Sequence, residues 1–311
     1  MNVTEAIRAE LRQAVPTSPQ DVRAFLAAVT KGIGTLGIFR NGFRVEYECK
    51  DEQTAWLLAG LLRSTYDVPV EYTFSSGQPR TCVCTIGTEH AAQVLEQMGL
   101  IAYGAEGELQ LAEGLPALEH VTNREVARAY IQGVFLVCGG CYAPDDVETR
   151  GGYHLEMVVS DRTFAEQLVR LLGQIGMKFH LTERGGNWSV YSKSGEQIAD
   201  FLAFLQTMNG VMELNDIMIR RQINNDINRR SNIYIANLDK TSLANTRYVR
   251  AAAKVLEAGA CKDEKLLHIA TERLRDREES MRALASRLGM STTSLSRALH
   301  KLVRLAGMEE E

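Results

Sequence analysis

Ser291, Thr292, Thr293, Ser296, Arg297 and His300 fall within ten residues of one another. Their spacing puts hydroxyls, a guanidinium and an imidazole on the outward side of one helix if Leu295 turns inward. Lys301 and Arg304 extend the series, and no carboxylate interrupts it between Ser291 and Leu305. The chemistry open to such a set is hydrogen bonding to phosphates and base edges. Three positive charges and the free N–H groups of a first helical turn both favour an anionic partner. The plainer alternative is a helical hairpin that only packs. Ala298, where a larger side chain is common, speaks for that alternative, and the acid-free face speaks against it.

The elements needed to present these groups are legible around them. Met281 to Leu302 has the spacing of a helix-turn-helix, with Ala285 in the close contact between helices and Gly289 in the turn. Leu284, Leu288, Met290 and Leu295 supply buried apolar surface. A preceding helix from Asp263 to Arg273 would pack Leu266, Leu267 and Ile269, with Leu274 just beyond it, beneath a hairpin starting near Arg277. Residues 263–311 are thus expected to form an all-α reading domain that ends in a frayed acidic tail, Glu309 to Glu311. Ahead of it, 216–262 is a basic, Asn-rich helical linker with nine Lys and Arg against four acids. Arg220, Arg221, Arg229 and Arg230 are candidates for a face that tracks phosphates. A solvated connecting helix is the equal alternative, and Ser242 to Ala258 reads as a further helix.

Charge is unevenly spread. The chain carries a formal −4, yet Asp216 to Glu311 holds 18 Lys and Arg against 13 Asp and Glu, which leaves 17 against 26 for the first 215 residues. An acidic body joined to a basic reader limits non-specific adhesion while keeping a local footprint on DNA. The 311 residues suffice for two or three domains. No uncharged apolar run approaches a membrane span, and Met1 to Val15 has acids within an amphipathic pattern, so neither a span nor a signal peptide is expected. Cys82 and Cys84 alternate on one strand face like core cysteines. Cys138 and Cys141 lack the second ligand pair of a zinc site. No metal or other cofactor is expected, and the cysteines read as reduced thiols of a cytoplasmic protein.

The first 215 residues contain a repeat. At an offset of 110, Glu46 meets Glu156, Asp51 meets Asp161, Ala55 meets Ala165 and Leu61–Leu62 meets Leu171–Leu172. Each copy reads as a strand, an Asp N-cap and an amphipathic helix. Upstream, at an offset of 105, LAAVTKGIG from Leu26 matches IQGVFLVCG from Ile131; the five-residue difference falls in the loop that follows. Both are helices ending at a glycine, with Ala28 and Gly133 placed for backbone-to-backbone packing. The plan is helix 123–137, strand 153–159, helix 161–175, strands 178–183 and 188–191, and helix 196–209 in the second copy. In the first it is a helix, strands 35–40 and 43–49, helix 51–66, strands 68–74 and 80–86, and helix 88–98. The fold class is α+β, two αββαββα units (about 21–100 and 123–210) about a pseudo-twofold axis, followed by the all-α domain.

The chain resembles the WhiA family of bacterial DNA-binding regulators, which join a degenerate LAGLIDADG homing-endonuclease-like domain to a C-terminal helix-turn-helix. LAAVTKGIG and IQGVFLVCG lie where the paired LAGLIDADG helices would be. The stretch from Arg220 resembles the family's linker at Asn225, Asn228, Arg229, Asn232, Ala236, Asn237, Lys240 and Thr241. It departs at Ile233, Tyr234 and Ile235, where Cys-Glu-Thr is common. The resemblance implies that a nuclease of this lineage would carry one acid before each terminal glycine to hold divalent cations. Here those degenerate metal positions are Ile33 and Cys138, and the neighbouring acid position holds Lys31 in one copy and Leu136 in the other.

The implied function is a non-enzymatic, sequence-specific binder of double-stranded DNA. It would act as a transcription regulator in cell division, chromosome segregation or sporulation, nucleoid-associated in the cytoplasm. The acidic body counts against duplex binding there, and it is expected to have become a module for a protein partner or regulator. Two alternatives stay open: a residual LAGLIDADG-type nuclease, and an interaction scaffold whose helix-turn-helix binds protein.

Overall fold

α1 (Val3–Gln13) precedes two copies of one plan in the computed structural model, which describes residues 3–40, 42–74, 81–106, 108–111, 123–144, 151–259 and 261–308. The first copy runs α2 (Pro19–Ile33), β1 (Gly34–Phe39), β2 (Gly42–Cys49), α3 (Glu52–Tyr66), β3 (Glu71–Phe74), β4 (Cys82–Ile86) and α4 (Ala91–Gln97). A small ribbon, β5 (Ile101–Tyr103) with β6 (Leu109–Leu111), follows it. The second copy runs α5 (Arg124–Cys138), β7 (Gly139–Tyr142), β8 (His154–Val159), α6 (Arg162–Gln174), β9 (His180–Arg184), β10 (Asn187–Ser192) and α7 (Gly195–Phe204). Both sheets are antiparallel with the same strand order, β1-β2-β4-β3 and β7-β8-β10-β9. The chain is α+β, with two αββαββα halves and a helical C-terminal domain.

Local chemistry starts these helices where the sequence repeats. Asp51 accepts a hydrogen bond from Thr54 N at 2.7 Å, and Asp161 accepts one from Phe164 N at 2.7 Å, so each carboxylate caps its helix. Such a cap contributes about 1 kcal/mol. Ser18 and Asn123 cap α2 and α5 in the same way. The inward strand faces are apolar: Val45, Tyr47 and Cys49 on β2 and Cys82, Cys84 and Ile86 on β4 are all buried. All six cysteines are free thiols.

α2 and α5 form the centre of this unit. A Cβ on Gly133 would lie 2.5 Å from the Phe25 carbonyl oxygen and 3.0 Å from Ala28 Cβ, so the two helices approach at contact distance because this position has no side chain. Both helices run directly into the first strand of their own sheet, at Gly34 and Gly139.

The structure departs from the sequence reading in several places. β7 forms across Gly139–Tyr142, paired with β8, in a segment whose glycines hide its strand character. The expected helix over 196–209 instead stops at Phe204; Gln206 takes φ +63, and a new helix, α8 (Met208–Ala258), begins two residues later. Glu10 on α1 starts it, accepting hydrogen bonds from Asn209 N at 2.9 Å and Gly210 N at 2.8 Å. A carboxylate there satisfies otherwise unpaired donors at the positive end of the helix dipole. α8 is continuous for 51 residues, so the expected helix over 242–258 is its last part. The expected acidic tail at 309–311, the residues 145–150 of the predicted loop and the start of the expected strand at Arg80 lie outside the described residues.

Contacts divide the chain into two compact units, Met1–Gln222 and Ile223–Glu311. The second contains α8 from Ile223 onward with α9 (Glu264–Arg275), α10 (Met281–Arg287) and α11 (Thr292–Leu305).

Candidate nucleic-acid interface

In the second unit, α10 and α11 form a tight helical pair over a small apolar core. Leu284, Ala285, Leu295, Leu299 and Leu302 are fully buried with Ile269 of α9 and Ala251, Ala252 and Val255 of α8. Ala298, partly buried, packs against the same cluster. Gly289 takes φ +65, a backbone conformation that an L side chain rarely adopts, and Met290 N then donates to the Ala285 carbonyl at 2.9 Å. Asp263, Ser280 and Ser291 cap α9, α10 and α11 in turn. The turn glycine, the small residue in the contact and the apolar positions therefore fulfil the roles their spacing suggests.

This packing decides which side of α11 is left to a ligand. Leu295, Leu299, Leu302 and Val303 face inward. At 100° per residue, Arg297 points about half a turn away from them, flanked by Thr293, His300, Lys301 and Arg304. Among the described residues, the exposed side chains of Arg297 and Arg304 have no hydrogen-bond or ion-pair partner, nor have Thr292 and Thr293. Ser296 is half-buried beside them.

Three of the sequence candidates are partly engaged within the protein. Ser291 Oγ accepts from Ser294 N at 3.1 Å as the α11 cap. His300 Nε2 lies 3.1 Å from Tyr248 Oη, with the rings edge to face. Lys301 Nζ lies 3.5 Å from Asp263 Oδ2, an exposed pair that contributes little and is easily exchanged for a phosphate. Asp263 is held below the usual carboxylate range, first by the Leu266 backbone N–H and also by Lys301.

The basic surplus of this unit is smaller than a residue count suggests. Arg273 is buried, donating to the carbonyls of Glu279 at 2.6 Å and Arg277 at 3.3 Å, which ties down the connection between α9 and α10. Arg287 is held by Glu272 and Glu279. No sequence signal separates these structural arginines from Arg297, because their partners are carbonyls and acids set by tertiary packing.

The four linker arginines do not share a face, contrary to the sequence reading. On one unbroken helix Arg220 and Arg229 are nine residues apart, about half a turn out of phase, and Arg221 and Arg230 fall between them. Arg221 is moreover engaged in the first unit, donating to the Gly151 carbonyl at 2.7 Å with its guanidinium 5.6 Å from the Tyr153 ring centroid. Arg220, Arg229 and Arg230 are exposed.

At the feet of α2 and α5 stand Ile33 and Cys138, neither a ligand for a hard cation. A groove of about 30 Å³ here is lined by Arg8, Ile33, Glu48, Lys50, Asp51 and Leu136. Arg8 Nη2 donates to the Gly139 carbonyl at 2.8 Å, so a guanidinium already occupies this ground. Asp51 is spent on Thr54 and Arg12. Burial pushes the Cys138 thiol up to about 11, only partly opposed by Lys50 and Arg8. Among the described residues no three His, Cys, Asp or Glu side chains are placed to hold a metal. The groups present do not fit the divalent cations of a nuclease centre.

Residues 127–224 match the family profile described as the WhiA LAGLIDADG-like domain, and residues 227–308 match that of the WhiA C-terminal HTH domain. The chain belongs to the WhiA family. It is 26% identical over 317 residues to the "Probable cell division protein WhiA" of Clostridium perfringens (strain 13), spanning 98% of each chain. A protein of the same name from Lactococcus lactis subsp. lactis (strain IL1403) is 27% identical, over 98% of this chain and 97% of its own. The crystal structure of full-length WhiA from Thermatoga maritima is similar in fold, with a TM-score of 0.57, 21% identity and 98% of each chain covered. In this WhiA protein α11 lies within the matched HTH domain and Cys138 within the matched LAGLIDADG-like domain. Among the described residues, no helix is long and apolar enough to cross a membrane.

Proposed function

We propose that this WhiA protein is a sequence-specific binder of double-stranded DNA, and that it acts as a transcription regulator in bacterial cell division, chromosome segregation or sporulation, nucleoid-associated in the cytoplasm. The observation that carries the reading is the outward side of α11. Arg297 stands opposite the buried stripe with Thr293, His300, Lys301 and Arg304 beside it, and the helix contains no acid. Set into a major groove, Arg297 is placed for bidentate hydrogen bonding to a guanine edge, while Lys301 and Arg304 meet phosphates. Thr292 and Thr293 sit at the first turn, where backbone N–H groups and the helix dipole favour a phosphate.

The assigned DNA-contact set is therefore Ser291, Thr292, Thr293, Ser296, Arg297, His300, Lys301 and Arg304, with exposed Arg220, Arg229 and Arg230 as separate phosphate contacts along α8. Relatives named as cell division proteins support the cellular role. The protein cuts no strand in this reading, because the two positions that would grip cations hold Ile33 and Cys138 beside Arg8. The first unit then serves a protein partner or regulator. Duplex binding measured against salt tests the proposal. Each phosphate neutralised adds about 0.9 to the slope of log K against log salt, so affinity must fall steeply as salt rises. A flat salt response would instead indicate an HTH domain that binds protein.

A further inference from the structure

The outer faces of the two sheets carry different chemistry at equivalent positions. In the first half the strand register sets Thr35, Glu46, Thr85 and Glu71 in one row across the sheet, with Arg44 and Gly37 as the next pair. In the second half the same row reads Gly140, Glu156, Tyr191 and His180, and the next pair is His154 with Tyr142. Four rings thus stand where the first half has Gly37, Arg44, Thr85 and Glu71.

Three of the four rings adjoin one another around Tyr191. The Tyr191 centroid lies 5.7 Å from that of His154 and 5.6 Å from that of His180, tilted at 36° and 39°. Tyr142, 50% exposed, stands opposite His154 in the register, and His180 is exposed. Lys193 Nζ lies 5.5 Å from the Tyr191 centroid, and exposed Arg184 continues the alternation of His180 and Thr182 along β9. The acid in the row, Glu156, is engaged by Ser189 Oγ at 2.8 Å and by His154 Nε2 at 3.3 Å. Among the described residues the first half offers nothing comparable: Glu46, Glu48 and Glu71 make its face acidic, and Phe39 lies under the Arg44 guanidinium, 4.8 Å from the ring centroid.

We propose that the outer face of β8-β10-β9 is a stacking platform for unpaired nucleobases, through which the first unit binds single-stranded nucleic acid. Aromatic rings on a sheet with flanking cations offer a π-face to any base and a counter-charge to its backbone. Bases within a duplex are already stacked on one another and cannot use such a surface. This inference does not rest on the reading of α11.

The test uses the full chain with Arg297→Ala and Arg304→Ala, which weakens the α11 contribution equally for every probe, and labelled oligonucleotides of about twelve residues, a length in the range such surfaces accommodate. Oligo-dT, oligo-rU, an abasic strand of the same backbone and a duplex are compared by fluorescence anisotropy. The expected result is that an unpaired strand with bases binds roughly tenfold or more tightly than the abasic strand. Combined Tyr191→Ala and His180→Ala erases that difference, and Tyr191→Phe preserves it. Comparing oligo-dT with oligo-rU assigns the natural strand to DNA or RNA. Equal binding of abasic and base-bearing strands overturns the proposal, as does preference for the duplex or failure of Tyr191→Phe to retain the effect. Should the alanine variant alter the Trp188 fluorescence of the fold, photo-crosslinking of 4-thiothymidine-bearing oligo-dT to the unaltered sheet decides. Crosslinks to Tyr142 or within residues 154–159 and 180–193 support the platform, and crosslinks confined elsewhere contradict it.

Discussion

Replacing Gly133 with alanine sets two well-characterised effects against each other at the crossing of α2 and α5. In a helix interior, alanine is favoured over glycine by about 1 kcal/mol. The new Cβ, however, lies 2.5 Å from the Phe25 carbonyl oxygen and 3.0 Å from Ala28 Cβ, where ordinary contact is about 3.5 Å. Backbone atoms cannot swing aside, so the helices must part by on the order of 1 Å through a core in which Phe25, Ala28, Ile131 and Val134 are all fully buried. Overpacking of this kind costs about 1–3 kcal/mol and, with a rigid neighbour, sits at the upper end. The expected net loss is about 1–2 kcal/mol. Both tryptophans of the chain, Trp56 and Trp188, lie in the first unit, so tryptophan fluorescence during urea denaturation reports on that unit. The midpoint should fall by roughly 0.5 M. Gly60→Ala is the matched control, since a Cβ there meets nothing within 4 Å; it should stabilise by up to about 1 kcal/mol. If Gly133→Ala is as stable as Gly60→Ala, the close helix crossing is refuted.

Four further outcomes are expected. Arg297→Ala should weaken binding to a cognate duplex by about 1–3 kcal/mol and relax base preference, leaving thermal stability unchanged because the side chain is exposed. Lys301→Ala should weaken all duplexes alike and reduce the salt slope by about 1; anisotropy titrations at several salt concentrations check both. Glu10→Ala removes the acceptor for Asn209 N and Gly210 N and should cost about 1 kcal/mol, read from the same tryptophan unfolding curve. The Cys138 thiol is raised to about 11 by burial, so it stays neutral in the fold while an unfolded thiol ionises near its ordinary value. Its contribution is fully present below about pH 8.5 and is lost as pH rises from there towards 11. Urea midpoints between pH 8 and 11 should therefore decline less in Cys138→Ala than in the native chain, and an equal decline would show that the thiol is not the source.

The repeat in the sequence was informative because each half obeys local rules. Asp51 and Asp161 cap, alternate residues of β2 and β8 turn inward, and Ala28 and Gly133 mark the crossing. What stayed hidden was set by partners far away in the chain. α8 begins at Met208 through a carboxylate nearly two hundred residues upstream, and Gln206 breaks the preceding helix with no glycine or proline to announce it. On α11, the outward direction of Arg297 followed from apolar periodicity alone. That His300 leans on Tyr248 and Lys301 on Asp263 depends on how α8 and α9 dock, which periodicity does not contain. Arg273 and Arg287 entered the positive count of the C-terminal end, although neighbouring carbonyls and carboxylates hold them.

The most direct test of DNA binding through α11 is chromosomal occupancy of the intact protein compared with a chain carrying Arg297→Ala and Arg304→Ala at the same cellular level. Discrete peaks present for the intact protein and lost for the variant are the predicted result. Persistence of the same peaks in the variant would contradict the account.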